Sequence, residues 1–364
     1  MRTRTIGTLG ASLALALVLA ACGSSSSSSS SSGGGGGGSA TASGAGSTFA
    51  APVYQQWGSA IKSVTLNFQA VGSGAGITAL TNKTVDFGAT DPPMKDPEVA
   101  AAAKNGPIVH VPTFLGAITV SYNLPGAATG LKLDGKTIAD IFLGKVKTWS
   151  DPEIAGLNPG TTPPSTPITV IHRSDSSGTT SGFTGFLAGA SPTWKSKVGM
   201  GKDVPWPTGT GAKGNAGVAG AIQQTPGAVG YVEQAYALQH KFTYASVKNT
   251  AGQFVAPTLQ STSAAGMGIQ VPADLRFTVS KPASAAAYPI VSQTFVVVYK
   301  DMCKAGVPGG QAAAKGVVKF LAYGLGQGQQ VLSQADYAAL PPSILDKAKM
   351  AVSSLQCNGA PLTP

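Results

Sequence analysis

Charge is what this chain has least of. Among its 364 residues only 25 are Lys or Arg and 15 are Asp or Glu, and the excess of +10 contains no two adjacent basic residues. Such a charge describes a solvated, mildly basic surface and offers no patch for nucleic acid. Histidine is scarcer still: His110, His172 and His240 have no metal-ligand spacing among them. Neither a metal site nor a histidine-driven nucleophile is expected, and no Gly-x-Ser-x-Gly elbow occurs. Cysteine appears three times, as Cys22, Cys303 and Cys357. What is plentiful is Gly (48) and Pro (25) on a background that is 43% apolar, the composition of a loop-rich but ordered protein with enough material for real cores.

No apolar run is long enough for a comfortable membrane span. The longest begins after Arg2 and Arg4, covers residues 9–19 and ends in Leu19-Ala20-Ala21-Cys22. A basic start, a short apolar stretch and small residues make a secretory leader over residues 1–21. Its ending resembles the lipobox of bacterial lipoproteins, which implies cleavage before Cys22 and lipidation, palmitate included, of that residue outside the cytoplasmic membrane. Nine serines (24–32) and six glycines (33–38) follow. They have nothing to bury, so residues 22–41 are expected to be a flexible tether. More than 300 residues remain, which exceeds the size of a single core and predicts two domains. An extracytoplasmic setting permits a bond between Cys303 and Cys357.

The stretch with most chemistry is Ile171-His172-Arg173-Ser174-Asp175-Ser176-Ser177-Gly178-Thr179-Thr180-Ser181-Gly182-Phe183, entered from the apolar segment Ile168-Thr169-Val170-Ile171. Strand, tight turn and helix start follow one another, so backbone N–H groups point into the turn. Arg173 supplies a planar fork of donors, and Ser177 and Thr179 each supply a hydroxyl, a set suited to a small oxyanion. The same run also reads as a plain capped helix in which Asp175 pairs with Arg173.

Similar features recur. Gly44-Ala45-Gly46-Ser47-Thr48-Phe49 leads into a segment with Phe49, Val53 and Trp57 at helical spacing, with Thr48 as the best donor. Val71-Gly72-Ser73-Gly74-Ala75-Gly76 lets backbone approach a ligand before another helix, but lacks dinucleotide-binding spacing. Val85-Asp86-Phe87-Gly88-Ala89-Thr90-Asp91 places Asp91 at a strand end, where it is either a turn cap or a ligand. Gly130-Leu131-Lys132-Leu133-Asp134-Gly135-Lys136-Thr137 has phosphate-loop spacing without its small interior residues; a turn and an amphipathic helix fit better. The glycine-rich loop 206–215 is either a cleft lining or a surface connection. Two long apolar strands, 108–122 and 290–299, flank a middle block, so the chain leaves its first domain near residue 118 and returns near 288.

Together these segments resemble the phosphate-binding proteins of ABC-type uptake systems. The resemblance rests on Gly44 through Tyr54, Gly72-Ser73-Gly74, Val85 through Asp91, Arg173 through Thr179 and Gly230-Tyr231-Val232-Glu233, in family order. It implies a type II periplasmic-binding-protein fold, α/β and two-lobed, with mixed sheets and a hinge. Residues 42–118 and 288–364 form one lobe and 119–287 the other. It implies one inorganic phosphate held by Thr48, Phe49, Ser73 and Asp91 from the first lobe and Arg173, Ser177, Gly178 and Thr179 from the second, with Asp175 orienting Arg173. No cofactor, metal or chemistry is implied; the partners are a membrane permease and the lipid anchor, and the protein is expected to be monomeric. The pattern departs at Thr180-Ser181-Gly182, which puts the start of that helix in doubt. Another oxyanion, or phosphate-ester hydrolysis through Ser177, stands as the alternative.

Overall fold

The computed structural model describes residues 40–364, so the leader, Cys22 and the tether up to residue 39 lie outside the described residues. The strands, in chain order, are β1 (Ala40–Gly46), β2 (Val64–Ala70), β3 (Phe87–Thr90), β4 (Ile108–Tyr122), β5 (Lys132–Leu133), β6 (Thr169–Arg173), β7 (Thr210–Ala212), β8 (Ala228–Glu233), β9 (Thr243–Tyr244), β10 (Ser246–Lys248), β11 (Phe254–Val255), β12 (Val291–Tyr299) and a short C-terminal pair, β13 (Gln356–Cys357) and β14 (Ala360–Pro361). Nine of them build one mixed sheet ordered β2-β1-β3-β12-β4-β8-β6-β7, with β9 also on β4; β11-β10-β5 form a small separate sheet.

β4 is the spine. Its first part pairs antiparallel with β12 from Ile108 to Ala117, and its last five residues, from Ile118, pair antiparallel with β8. Both faces of this long strand are covered, which is why it reads as an almost unbroken apolar run with Phe114, Leu115, Ile118 and Val120 fully buried. Each such side chain contributes about 1.5–3 kcal/mol of burial. The register with β12 shifts by one between Thr294 and Phe295, opposite Pro112, which has no N–H to give to a ladder.

On either side of this spine the strands are parallel: β1 with β2 and β3, and β6 with β7 and β8. Parallel neighbours need crossovers, and the crossovers here are helices. Helix Ala51–Ala60 follows β1, Ser73–Thr81 follows β2, Gly178–Ala190 follows β6 and Gly214–Gln224 follows β7. All four therefore begin at the carboxyl ends of strands, the edge where open α/β sheets bind ligands.

Two aromatic cores hold these layers. Tyr54, Trp57, Phe114 and Phe320 meet largely edge-on near β1 and β4. Phe142, Phe183, Trp206 and Tyr231 pack together beside β6 and β8. Cys303 and Cys357 are disulfide-bonded across 54 residues of chain, a closure worth roughly 4 kcal/mol in the chain-entropy picture.

Several expectations meet the structure here. β1 begins at Ala40 and runs to Gly46, so the last two residues of the expected tether over 22–41 and the glycines that lead into the first helix belong to a central strand. Its small residues are a packing requirement, since a methyl on Gly44 would fall 2.1 Å from the Phe87 ring. Asp134 caps helix Gly135–Phe142 by accepting from Thr137 N–H at 2.8 Å, so that segment is a turn and helix and not a phosphate loop. No helix among the described residues is long and apolar enough to cross a membrane.

Candidate oxyanion site

The carboxyl ends of β1, β3, β6 and β7 bring most of the expected side chains together. Gly178, the first residue of its helix, faces Asp91 and Ser73: a methyl there would lie 2.2 Å from Asp91 Oδ2 and 2.4 Å from Ser73 Oγ. Ser73 opens its own helix after Gly72, whose φ of 95° is one only glycine adopts readily, and whose Cα passes so close to Asp175 that a methyl would sit 2.5 Å from its Oδ2. Neither the Ser73 helix nor the Ala51 helix has a side-chain cap on its first N–H groups. Both leave the positive end of a helix dipole turned to this edge.

Asp91 is 1% exposed. Its Oδ1 accepts from the Ser47 hydroxyl at 2.5 Å and from the Thr294 hydroxyl at 2.8 Å, while Gln293 Nε2 donates to its carbonyl at 2.7 Å. The carboxylate is thus pinned through one oxygen, and Oδ2 is the one turned to Gly178. Burial pushes its pKa up to about 6, against the pull of the Ser47 and Thr294 hydroxyls and the Arg173 charge.

Arg173, fully buried in its side chain, gives Nε and Nη2 to the two oxygens of Asp175 at 2.7 and 2.5 Å, and Nη1 to Thr179 Oγ1 at 3.3 Å. A guanidinium has five N–H groups, so two remain for a ligand. Asp175 also accepts from Gly214 N–H at 2.9 Å. Burial raises the Asp175 carboxyl, but Arg173 and this N–H outweigh it and hold the group below the usual carboxylate range. The positive charge of Arg173 is thereby almost cancelled.

Ser177 is buried and caps the Gly178 helix, its oxygen accepting from Thr180 N–H at 3.1 Å; Ser181 and Gly182 lie inside that helix without disturbing its start. Both readings of this run therefore coexist: a capped helix and an array of donors. Phe49 is fixed from behind by the Tyr337 hydroxyl, which donates to its carbonyl at 2.7 Å. Tyr231 accepts from Arg173 N–H at 3.1 Å and shares a 2.6 Å bond with Thr180.

Four participants had no role assigned from the sequence, although Ser47 and Glu233 lie in segments that carry the resemblance. Ser47 and Thr294 hold Asp91, Asn215 touches both Thr48 and Thr179, and Glu233 lies behind Tyr337. Thr294 carried a signal, because Ser292-Gln293-Thr294 are three polar residues in an otherwise apolar buried strand. Asn215 carried only its place in a glycine-rich loop before a helix.

The chain matches the PBP superfamily domain over residues 31–324. It is 39% identical over 309 residues to the phosphate-binding protein PstS of Pasteurella multocida, covering 83% of this chain and 87% of that one. The chain belongs to the PstS family of phosphate-binding proteins. A second PstS, from Haemophilus influenzae, is 38% identical over 313 residues, covering 84% of this chain and 90% of its own. Among solved structures, a high-affinity periplasmic phosphate-binding protein bound with phosphate superimposes with a TM-score of 0.68 at 22% identity, covering 86% of this chain and 93% of that one. The architecture is accordingly the two-lobed α/β periplasmic-binding-protein fold.

Glu233, in the segment shared with β8, is fully buried and caps the helix Gln234–Gln239 through Ala235 N–H. Burial pushes its pKa up to about 8 from 4.5, and the charges of Asp336 and Asp91 add to this against the Tyr337 hydroxyl and Ala235 N–H. The folded chain therefore keeps a proton that the unfolded chain releases between pH 4.5 and 8. Stability contributed by this group is complete below pH 4.5 and is lost as pH rises through 8. Thermal melts of ligand-free protein should show this group's contribution falling over that range by roughly 5 kcal/mol at most. Glu233→Gln should flatten the slope above pH 6.5, leaving below it the opposed contributions of Asp91, which falls up to about pH 6, and of buried His110, whose lowered pKa makes stability rise up to pH 6.5. A parent protein equally stable at pH 5 and pH 9 would contradict the assignment.

Proposed function

We propose that this protein captures one inorganic phosphate outside the cytoplasmic membrane between two lobes, residues 42–118 with 288–364 and residues 119–287, and hands it to an ABC-type permease without chemical change. The exchange of β4's partner from β12 to β8 at Ala117 and Ile118 supports a hinge there, since the strand is common to both halves. Thr48, Phe49, Ser73 and Asp91 form one jaw; Arg173, Ser177, Gly178 and Thr179 form the other. Cys22 carries the lipid, and residues 22–39 tether a monomer to the membrane surface.

The observation that carries the reading is the single carboxylate oxygen set among donors. Hydroxyls, helix N-termini and the two remaining N–H groups of Arg173 satisfy an oxyanion, while Asp91 Oδ2 requires a proton from it. Phosphate near neutral pH still bears one. Sulfate bears none, and would bring a bare oxygen against a buried acceptor, a mismatch of about 1–3 kcal/mol or more. Calorimetric titration at pH 7.5 of protein stripped of ligand should give phosphate roughly 10- to 100-fold tighter binding than sulfate. Equal affinities would remove Asp91 from this role. Ser177, whose oxygen is occupied as a helix cap, has no general base bonded to it, and nothing observed favours the hydrolase alternative.

A further inference from the structure

Asn215 is the second residue of the helix that follows β7 and is fully buried. Its side-chain oxygen accepts from Glu233 N–H at 3.0 Å, which settles which end of the amide points where. The opposite end, Nδ2, donates to Thr48 Oγ1 at 3.0 Å and to Thr179 Oγ1 at 3.2 Å. Thr48 Oγ1 accepts a second bond, from Asn215 N–H at 3.3 Å, and Thr179 Oγ1 accepts a second from Arg173 Nη1 at 3.3 Å. A hydroxyl has two acceptor positions and one proton. In each threonine both acceptor positions are filled, so the proton is the only capacity left.

We propose that Asn215 is a positioning and specificity-determining residue of the anion site: by donating to Thr48 and Thr179 it turns both hydroxyls into obligate donors toward the ligand. This rests on the reading that those two threonines face the anion. Its consequence is that neither threonine can accept the proton that the anion carries, which leaves that role to Asp91. Asn215 itself touches no ligand in this scheme.

Asn215→Asp tests the idea because it keeps the shape and the oxygen that accepts from Glu233 N–H, yet replaces the donor with an acceptor that draws both hydroxyl protons to itself. Phosphate affinity measured calorimetrically at pH 8 should fall by roughly 100-fold, and by only about tenfold in Asn215→Ala. A purely packing role would give the reverse order, since alanine leaves the larger void. Repulsion by the new charge is separated by a cycle with Thr48→Val: if Asn215 acts through the hydroxyl, the two losses are less than multiplicative. Multiplicative losses, or Asn215→Asp binding within threefold of the parent, overturn the proposal. If Asn215→Asp does not fold, the Asn215→Ala and Thr48→Val cycle reads the same coupling. Normal binding by Thr48→Val and Thr179→Val would instead overturn the ligand reading beneath it, and the proposal with it.

Discussion

Gly178→Ala should lose phosphate binding by about 1000-fold or more while the ligand-free protein keeps its stability. The added methyl would lie 2.2 Å from Asp91 Oδ2, 2.4 Å from Ser73 Oγ and 2.6 Å from Asp91 Cγ, all well inside van der Waals contact. None of these atoms yields easily. Asp91 is pinned through Oδ1 by Ser47 and Thr294 and through its carbonyl by Gln293, and Ser73 is the first residue of a helix whose Gly74 N–H donates to Ser176 carbonyl at 3.0 Å. The overlap is relieved only by separating the residue 42–118 segment from the residue 119–287 segment, which is the opening motion of the proposed hinge. Opened, the variant suffers no clash, and alanine in a first helical turn is favoured over glycine by roughly 0.5–1 kcal/mol. Calorimetry and thermal melts check both halves. Retained affinity within tenfold would mean that the jaws do not close this tightly around a ligand, and a large drop in the melting temperature of ligand-free protein would mean that they do not open.

Much of this arrangement was legible in sequence for a definite reason. β4 and β12 announce themselves because a strand covered on both faces has to be mostly apolar, and Ile108–Tyr122 and Val291–Tyr299 are, apart from a few buried polar residues such as Ser292-Gln293-Thr294. The Arg173, Ser73 and Thr48 segments were readable because glycines and hydroxyls at a strand-to-helix turn are a local demand of anion binding. β1 was not, because the pressure on its sequence is tertiary: lying between β2 and β3 under the Phe87 ring, it can carry only Ala, Ser, Thr and Gly, which have no strand signature. Ser47, Thr294 and Asn215 escaped for a related reason. Each acts on a residue far away in the chain, Ser47 across 44 positions, Thr294 across 203 and Asn215 across 167, and no local pattern encodes such a pairing.

Removing the guanidinium separates what holds the fold from what holds the ligand. Arg173→Met should reduce phosphate affinity by about 1000-fold, because two charge-assisted N–H groups and a buried cation of the proposed site disappear together. It should also destabilise the ligand-free protein by roughly 3–5 kcal/mol, since Asp175 would keep only backbone N–H groups, that of Gly214 and its own, to offset its charge. Asp175→Asn placed on top of Arg173→Met removes that orphaned charge and should recover most of the stability without recovering affinity. This divergence is the measurement that matters. Recovery of both would show that Arg173 serves binding only by keeping Asp175 in place; recovery of neither would show that the 173–179 turn needs the ion pair itself to form. The expected split follows from the geometry, in which three of the five guanidinium N–H groups are committed to Asp175 and Thr179 and only the remainder can meet a ligand.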